Sequence, residues 1–231
     1  MSTDLSISTA TLKDAEEIEN FMHDEFGINE PITVSLNATK SDLCDFFHDL
    51  AYSGYSHEKY STLVRKDGRL LGICLCSSGS RGENTNMIPS HDIDVLNHDF
   101  AEEIAKGPYK QHKANQLVSY VSALERGLYN LPGNFITFLK IDIICVANHA
   151  RGQGLGKRMT LESIKIARSQ HCEWIVTAAT ASASQVLFSR VGFETFFKLP
   201  YSIFRENGRV VFDNLYDGCS SGKLMALQLN K

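Results

Sequence analysis

Apolar residues recur every three or four positions in three segments of the chain, residues 18–26, 43–51 and 117–128. This spacing predicts three amphipathic helices whose apolar stripes pack into a core. A Thr11-x-x-Asp14 pattern stands before the first stripe and resembles a capping box, which is typical of a helix start.

Shorter apolar runs predict seven strands. They cover residues 4–9, 61–65, 70–76, 135–146, 174–178, 193–198 and 224–229. A Lys66-Asp67-Gly68-Arg69 turn joins the second and third strands as a hairpin. This order of elements predicts an α/β (α+β) fold, in which helices flank a mixed sheet. We expect a single domain over residues 1–231, with the polar, turn-rich residues 77–89 as a long surface loop.

Composition restricts the classes of function. The net charge of −4 gives no general attraction to nucleic acid or to an anionic membrane. No apolar run is long enough to span a membrane, and the first residues do not resemble a secretion signal. We therefore expect a cytoplasmic protein whose six cysteines are mostly buried and reduced. Cys74 and Cys76 face the same side of a strand, but neither a second cysteine pair nor a histidine cluster stands nearby, so we expect no metal site.

A glycine-rich basic turn, Arg151-Gly-Gln-Gly-Leu-Gly156, follows the longest predicted strand. Leu155, Met159 and Ile166 form one helical stripe immediately after it. Glycines allow close approach to the backbone, and the N–H groups at a helix start attract anions. With Arg151 and Lys157 beside it, the turn predicts an anion-binding site.

Two common phosphate-binding motifs do not fit this turn. A Walker loop has glycine where Arg151 stands and Ser or Thr where Arg158 follows Lys157. The dinucleotide fingerprint G-x-G-x-x-G also fails, because Lys157 stands in place of the last glycine.

The turn matches the pattern Q/R-x-x-G-x-G/A, and Arg190-Val-Gly-Phe-Glu194 follows downstream. In these features and in its element order the chain resembles the GNAT superfamily of acyl-CoA-dependent N-acetyltransferases. The resemblance implies a mostly antiparallel seven-stranded sheet, splayed between strands four and five, and acetyl-CoA as cosubstrate. The pyrophosphate would bind in the turn and the pantetheine arm along the end of strand four. The implied cofactor-binding residues are Ile144, Cys145, Val146, Arg151, Gly152, Gln153, Gly154, Leu155, Gly156 and Lys157.

A second stretch, residues 26–33 (FGINEPIT), and the tail over 201–214 and 220–229 resemble the insect and nematode arylalkylamine N-acetyltransferases of the dopamine or serotonin type. The resemblance implies that Glu30 is a general base and that Thr180 and Ser184 are the two hydroxyls of the site. The family more usually has Ser at the first of these positions, so Thr180 is a departure.

The residue types suit these roles. Burial beside Phe26, Ile28 and Ile32 would raise the pKa of Glu30 toward that of a useful base, whereas a solvated Glu30 would be too weak. Pro31 favours an extended backbone at Glu30. The spacing of Thr180 and Ser184 predicts one helix face, although Ser and Thr also cap helices.

Three further residues near the turn are given no catalytic role. Cys145 lacks an activating Lys or His in sequence, so we expect direct transfer rather than an acyl-enzyme. We expect His149 at the surface and Arg190 in a salt bridge.

Three functions remain open from the sequence. The first is acetylation of a small aromatic amine such as serotonin, dopamine, tyramine or octopamine, the second acetylation of polyamines or other amines, and the third non-catalytic acyl-CoA binding. The intact Glu30-Pro31 pair argues against the third. Apolar residues around Glu30, including Val34 and the Phe46–Phe47 pair, favour a ring over a polyamine. The oligomeric state stays open.

Overall fold

A computed structural model of the chain describes residues 5–81, 98–133 and 136–229. The strands are β1 Leu5–Thr9, β2 Thr62–Lys66, β3 Arg69–Arg81, β4 Ile136–Val146, β5 Trp174–Ala179, β6 Glu194–Pro200, β7 Arg205–Glu206, β8 Arg209–Val210 and β9 Ser221–Gln228. The α-helices are α1 Ala15–Phe21, α2 Pro31–Ser35, α3 Lys40–Tyr55, α4 Ala101–Ala105, α5 His112–Glu125, α6 Leu155–Ser169 and α7 Ser182–Arg190.

Seven strands form one mixed sheet in the order β1-β2-β3-β4-β5-β9-β6, and β7 and β8 form a separate hairpin. Every pair in the large sheet is antiparallel except β4–β5. This confirms the predicted mixed, mostly antiparallel fold.

The sheet opens between β4 and β5. Their parallel ladder runs from Phe138–Trp174 to Ile141–Thr177 and stops there, although β4 continues to Val146. The backbone of β4 beyond Ile141 therefore leaves its neighbour, as predicted for strands four and five, and the functional groups described below lie around this opening.

The predicted helical stripes form the core. Ile18, Phe47 and Leu124 are each at most 1% exposed. Thr11 and Asp14 make the predicted capping box, and Thr39 makes a second one at the start of α3. Both boxes satisfy backbone N–H groups that the helix itself leaves without partners.

The polar segment 77–89 is not a loop at its start. Residues 77–81 continue β3, which pairs with β4 from Ser77–Lys140 to Arg81–Ile136, and residues 82–89 lie outside the described residues. The backbone ladder holds this part of the strand, in which residues 77–80 alternate between half-buried and exposed without an apolar run.

Three other expectations need correction. Leu128 lies in a 3-10 turn after α5 and not on the helix itself, and the short helices α2 and α4 were not predicted. Cys44 is exposed, whereas Cys74, Cys76 and Cys145 are buried. Among the described residues there is no group of three or more potential metal-ligating side chains, and no helix with the length and apolar character of a membrane span.

Candidate active site

The glycine-rich turn leads directly into α6. Gly152 and Gly154 have left-handed backbones, with φ of 77° and 76°, and Gly154 caps the helix. A Cβ atom added to either glycine would point into open space rather than into the protein. The turn thus leaves an open cradle next to the unpaired N–H groups of the first turn of α6.

This cradle forms one wall of a groove of about 800 Å³, called the outer groove below. The other walls come from the end of β4, the start of α7 and the residues just before α2. Nine of the ten predicted cofactor-binding residues line it: Ile144, Cys145, Val146, Arg151, Gly152, Gly154, Leu155, Gly156 and Lys157. Gln153 does not, because it faces a separate depression that also contains Lys66 and the exposed His149.

Glu30 lies between α1 and α2, where the local sequence fixes its backbone. α1 continues as a π-helical turn over Met22–Gly27, and the N–H of Glu30 donates to the carbonyl of Phe26 at 2.8 Å. Pro31 is the first residue of α2, and Glu30 before it is extended with φ −74° and ψ 121°. This confirms the backbone that Pro31 was expected to impose.

Thr180 holds the carboxyl group of Glu30. Its hydroxyl donates to Oε1 of Glu30 at 2.8 Å. Thr180 stands between the end of β5 and the start of α7, and Tyr201 donates to its backbone carbonyl. The contact joins two residues that are 150 positions apart in the chain.

The pKa of Glu30 is raised to about 7, chiefly because burial removes water from the carboxyl group. The hydrogen bond from Thr180 opposes this rise, and the negative charge of Asp217 adds to it. The residue as a whole is half-buried because it borders open space, but its carboxyl group is desolvated. A carboxyl group with this pKa exchanges protons near neutral pH.

On its other side Glu30 borders a smaller cavity of about 180 Å³, called the inner cavity. Most of its walls are apolar or aromatic, and they are provided by Phe26, Ile32, Phe46, Phe47, Leu50, Leu117, Val118, Val121, Ile141, Ile143 and Ala178. Phe26 and Glu30 line both the inner cavity and the outer groove. The Glu30 carboxyl group therefore separates a small apolar space from an open groove that contains basic residues.

Two of the apolar residues that were predicted to surround Glu30 do not do so. Ile28 is 63% exposed and Val34 is 37% exposed, and neither lines the inner cavity. Ile28 precedes Glu30 in the chain, and Val34 lies on the exposed side of α2. Phe46 and Phe47 are buried core residues and also line the cavity.

Thr180 and Ser184 do not share a helix face. Thr180 precedes α7, which begins at Ser182, so the spacing of four residues does not apply to a helix. Thr180 lines the inner cavity, whereas Ser184 lines the outer groove and donates to the carbonyl of Ala181 at 2.8 Å.

Cys145 has the environment of an unreactive thiol. Burial raises its pKa to about 12, although the charge of Arg151 opposes this effect. A nucleophilic cysteine needs a lowered pKa. Arg190, expected in a salt bridge, lines the groove and forms no ion pair within the described part of the chain.

The loop before β9 adds two groove residues that the sequence did not indicate. The hydroxyl of Tyr216 donates to the carbonyl of Asn29, next to Glu30. Asp217 accepts the backbone N–H of Ser182 at 2.8 Å and so caps α7. No spacing or motif in the sequence connects this loop with residues near 30.

A charged cluster lies at the wall of the inner cavity. Lys140 contacts Glu125 and Asp142, each at 2.9 Å, and Ser77 donates to Asp142 at 2.7 Å. Burial would lower the pKa of Lys140, but the two carboxylates outweigh this effect and raise it above its ordinary value. The sequence feature that could have indicated this cluster is the presence of two charged residues, Lys140 and Asp142, inside the apolar run of β4.

Comparisons with known proteins identify the family and the fold. The family model of the acetyltransferase (GNAT) domain matches residues 84–207, more than half of the chain. No curated protein matches the chain.

Among solved structures the chain is similar to a mosquito arylalkylamine N-acetyltransferase-like protein 5b, with 19% identity and a TM-score of 0.73. It is similar to the Drosophila melanogaster polyamine N-acetyltransferase that forms N-acetylagmatine, with 18% identity and a TM-score of 0.73. It is also similar to arylalkylamine N-acetyltransferase 2 from Aedes aegypti, with 20% identity and a TM-score of 0.72. Each similarity covers 98% of this chain and 100% of the other. At these identities the similarities show the fold, and the family match over more than half of the sequence shows that the chain belongs to the GNAT acetyltransferases.

Proposed function

We propose that this protein transfers an acetyl group from acetyl-CoA directly to the primary amine of a small arylalkylamine, with Glu30 as general base. One observation carries the proposal: the desolvated carboxyl group of Glu30 lies between an apolar cavity and the groove that holds the glycine turn. The cavity would receive the amine and the groove the acetyl-CoA.

GNAT acetyltransferases use acetyl-CoA, and the outer groove fits such a ligand. The cradle at Gly152 and Gly154 leaves room for a pyrophosphate close to the backbone. Arg151, Lys157 and Arg190 line the groove and supply positive charge. The end of β4, free of β5, offers backbone groups along which an extended pantetheine arm would pair.

The chemistry has three requirements, and this chain has a group for each. Glu30 accepts the proton of the attacking ammonium group, directly or through one water molecule, so that nitrogen has a lone pair. Backbone N–H groups at the end of β4 stabilise the oxyanion that forms as nitrogen bonds to the thioester carbon. The C–S bond then breaks, the nitrogen gives its second proton to the thiolate, and CoA leaves as the thiol. The Ser184 hydroxyl in the groove turns from the Ala181 carbonyl to donate to the departing sulfur. Thr180 orients Glu30.

The size and walls of the inner cavity support an aromatic acceptor. Apolar cavities of about 150 Å³ hold a benzene ring, and the inner cavity has about 180 Å³. Two of the similar structures are named as arylalkylamine N-acetyltransferases or proteins like them.

A polyamine or agmatine is the second candidate acceptor. The observation in its favour is the pair of carboxylates, Glu125 and Asp142, at the wall of the cavity, and one similar structure is named for polyamine acetylation. Lys140 neutralises part of their charge, which favours a neutral ring instead.

The proposal also takes residues 1–231 as one catalytic domain that works in the cytoplasm. The free thiols of all six cysteines and the single large sheet support it.

Release of CoA thiol from acetyl-CoA across an amine panel tests this function. We expect tyramine and tryptamine to exceed spermidine and agmatine in kcat/KM by at least about tenfold. Glu30→Gln should lower kcat by roughly 100-fold or more, because the general base is lost. The same change at the exposed Glu16, on α1, should leave kcat unaltered. Equal or better use of spermidine contradicts the aromatic assignment, and a Glu30→Gln variant with normal kcat contradicts the base.

A further inference from the structure

The charged cluster of Glu125, Lys140 and Asp142 lines the inner cavity but has no role in the proposed transfer step. The register of the parallel strands sets Lys140 beside Val176. Thr180, which holds Glu30, stands four positions further along, so the backbones of Lys140 and Thr180 are separated by ~13 Å along the sheet. Lys140 and the base therefore line different parts of the inner cavity, and Asp142 lies two positions nearer to the base on β4.

The cluster has unused hydrogen-bonding capacity of two kinds. Lys140 has three donors, and within the described part of the chain its partners are the carboxylates of Glu125 and Asp142. Oε1 of Glu125 accepts a hydrogen bond from Lys140, whereas Oε2 of Glu125 has no hydrogen-bond partner among the described residues. One ammonium donor and one carboxylate oxygen therefore remain for a ligand at this end of the cavity.

We propose that this cluster is a specificity site that binds a phenolic hydroxyl group on the far side of the acceptor's ring. A hydroxyl both donates and accepts, so it satisfies Glu125 and Lys140 together. An ammonium or guanidinium group has only donors and would meet the like charge of Lys140. This inference rests on the proposed function and assigns the residues that would select a hydroxylated arylalkylamine over one without the hydroxyl group.

Comparison of tyramine with phenethylamine, which lacks only the hydroxyl group, tests the site. In the unmodified protein we expect kcat/KM to be at least about tenfold higher for tyramine, because phenethylamine offers no partner to the remaining Lys140 donor and Glu125 oxygen, which are half-buried. In Glu125→Leu this preference should fall to about twofold or less, mainly through a higher KM for tyramine. A merely structural defect would lower kcat/KM for both amines equally.

Two controls accompany this variant. Glu125→Gln keeps a carbonyl acceptor and should retain part of the preference for tyramine, and it tests the proposal if Glu125→Leu fails to fold. Glu162→Leu removes a carboxylate of a surface ion pair with Lys165 and should leave the preference unchanged.

The outcomes separate the two proposals. If both amines are acetylated and folded Glu125 variants keep the full tyramine preference, the specificity site is wrong while the proposed function stands. The same holds if the unmodified protein does not distinguish the two amines. If neither amine is acetylated while agmatine is, the proposed acceptor class itself is wrong, and the specificity site fails with it.

Discussion

The ionisation of Glu30 is controlled by groups that lie far apart in the sequence. Burial is the largest effect and raises the pKa, whereas the Thr180 hydroxyl stabilises the charged form and lowers it. The outcome, a pKa of about 7, lies well above the ordinary value of 4.5. A base with this pKa is half ionised at neutral pH and still strong enough to accept a proton.

Replacement of Thr180 by Val should move the acidic limb of the pH–rate profile to higher pH. Val has nearly the shape of Thr but no hydroxyl, so the ionised form of Glu30 loses a hydrogen bond and its pKa rises. A rise of the pKa from about 7 to about 8 would lower kcat/KM at pH 7 by about fivefold, because less of Glu30 is ionised. Thr180→Ser retains the hydroxyl and should restore the original limb. If the acidic limb lies at the same pH in all three proteins, Thr180 does not affect the pKa of Glu30.

At the residue scale, the sequence predicted Glu30 better than it predicted its environment. Pro31 indicated the extended backbone of Glu30, since Pro restricts the residue before it regardless of tertiary structure. The role of Glu30 as a base came from the family resemblance and stays a prediction. Thr180 was named but wrongly placed on a helix, and Asp217 was missed. The hydrogen bond from Thr180 and the charge effect of Asp217 on Glu30 depend on how separate loops meet, which a local pattern does not contain.

At the scale of elements, the glycine turn works through its connection to α6. The left-handed glycines bend the chain so that the first backbone N–H groups of the helix face the outer groove. The basic residues on either side add charge, but the conformation of the turn determines how closely an anion can approach.

Replacement of Gly154 by Val should abolish measurable binding of acetyl-CoA. The side chain would fill the cradle, and a β-branched residue is also strained at a φ of 76°. Gly208→Val is a matched control, because Gly208 has a φ of 77° and equally open surroundings in the turn between β7 and β8. It imposes similar strain away from the groove and should leave the calorimetric affinity unaltered. Normal affinity in folded Gly154→Val would refute the pyrophosphate site.

The elements that the sequence predicted well are those with strong periodicity. The stripe of α3 and the alternation of β4 both match their burial because one face of each packs on the core. The loop predicted at the start of the polar segment 77–89 was wrong, because the backbone ladder with β4 holds these residues in a strand. Helices as short as α2 and α4 give no periodic signal, since five residues complete little more than one turn.

At the scale of the whole molecule, the opening between β4 and β5 brings the parts of the site together. It frees the end of β4 for the outer groove and leaves space for the inner cavity beside the same strand. Glu30 reaches this opening from the segment before α2, and Thr180 reaches it from the end of β5. The family resemblance predicted the splay, but only the assembled fold shows that two separate spaces meet at one carboxyl group.

Burial of Glu30 should also make the stability of the whole protein depend on pH. Its pKa is about 7 in the folded protein and near 4.5 in the unfolded chain, so the folded state binds the proton more tightly. The resulting stabilisation is complete below about pH 4.5 and is lost as the pH rises through 7. A difference of one pKa unit corresponds to ~1.4 kcal/mol, so the free energy of unfolding falls by no more than about 3.5 kcal/mol by pH 8.

The Glu30→Gln variant isolates this contribution, because Gln cannot ionise and its carbonyl can still accept the Thr180 hydroxyl. We expect the variant to gain stability relative to the unmodified protein between pH 5 and pH 8, as measured by urea unfolding at both values. The difference between the two free energies of unfolding cancels the contributions of other groups that titrate in the same range. One such group is His23, whose pKa is lowered by burial. Hydrogen bonds from Thr39 lower the pKa of Asp42 to about 2, so Asp42 changes the stability only in more acidic solution. A stability difference that stays constant from pH 5 to pH 8 would mean that Glu30 is not desolvated in the folded protein, and the assignment of this carboxyl group as a base near neutral pH would lose its physical ground.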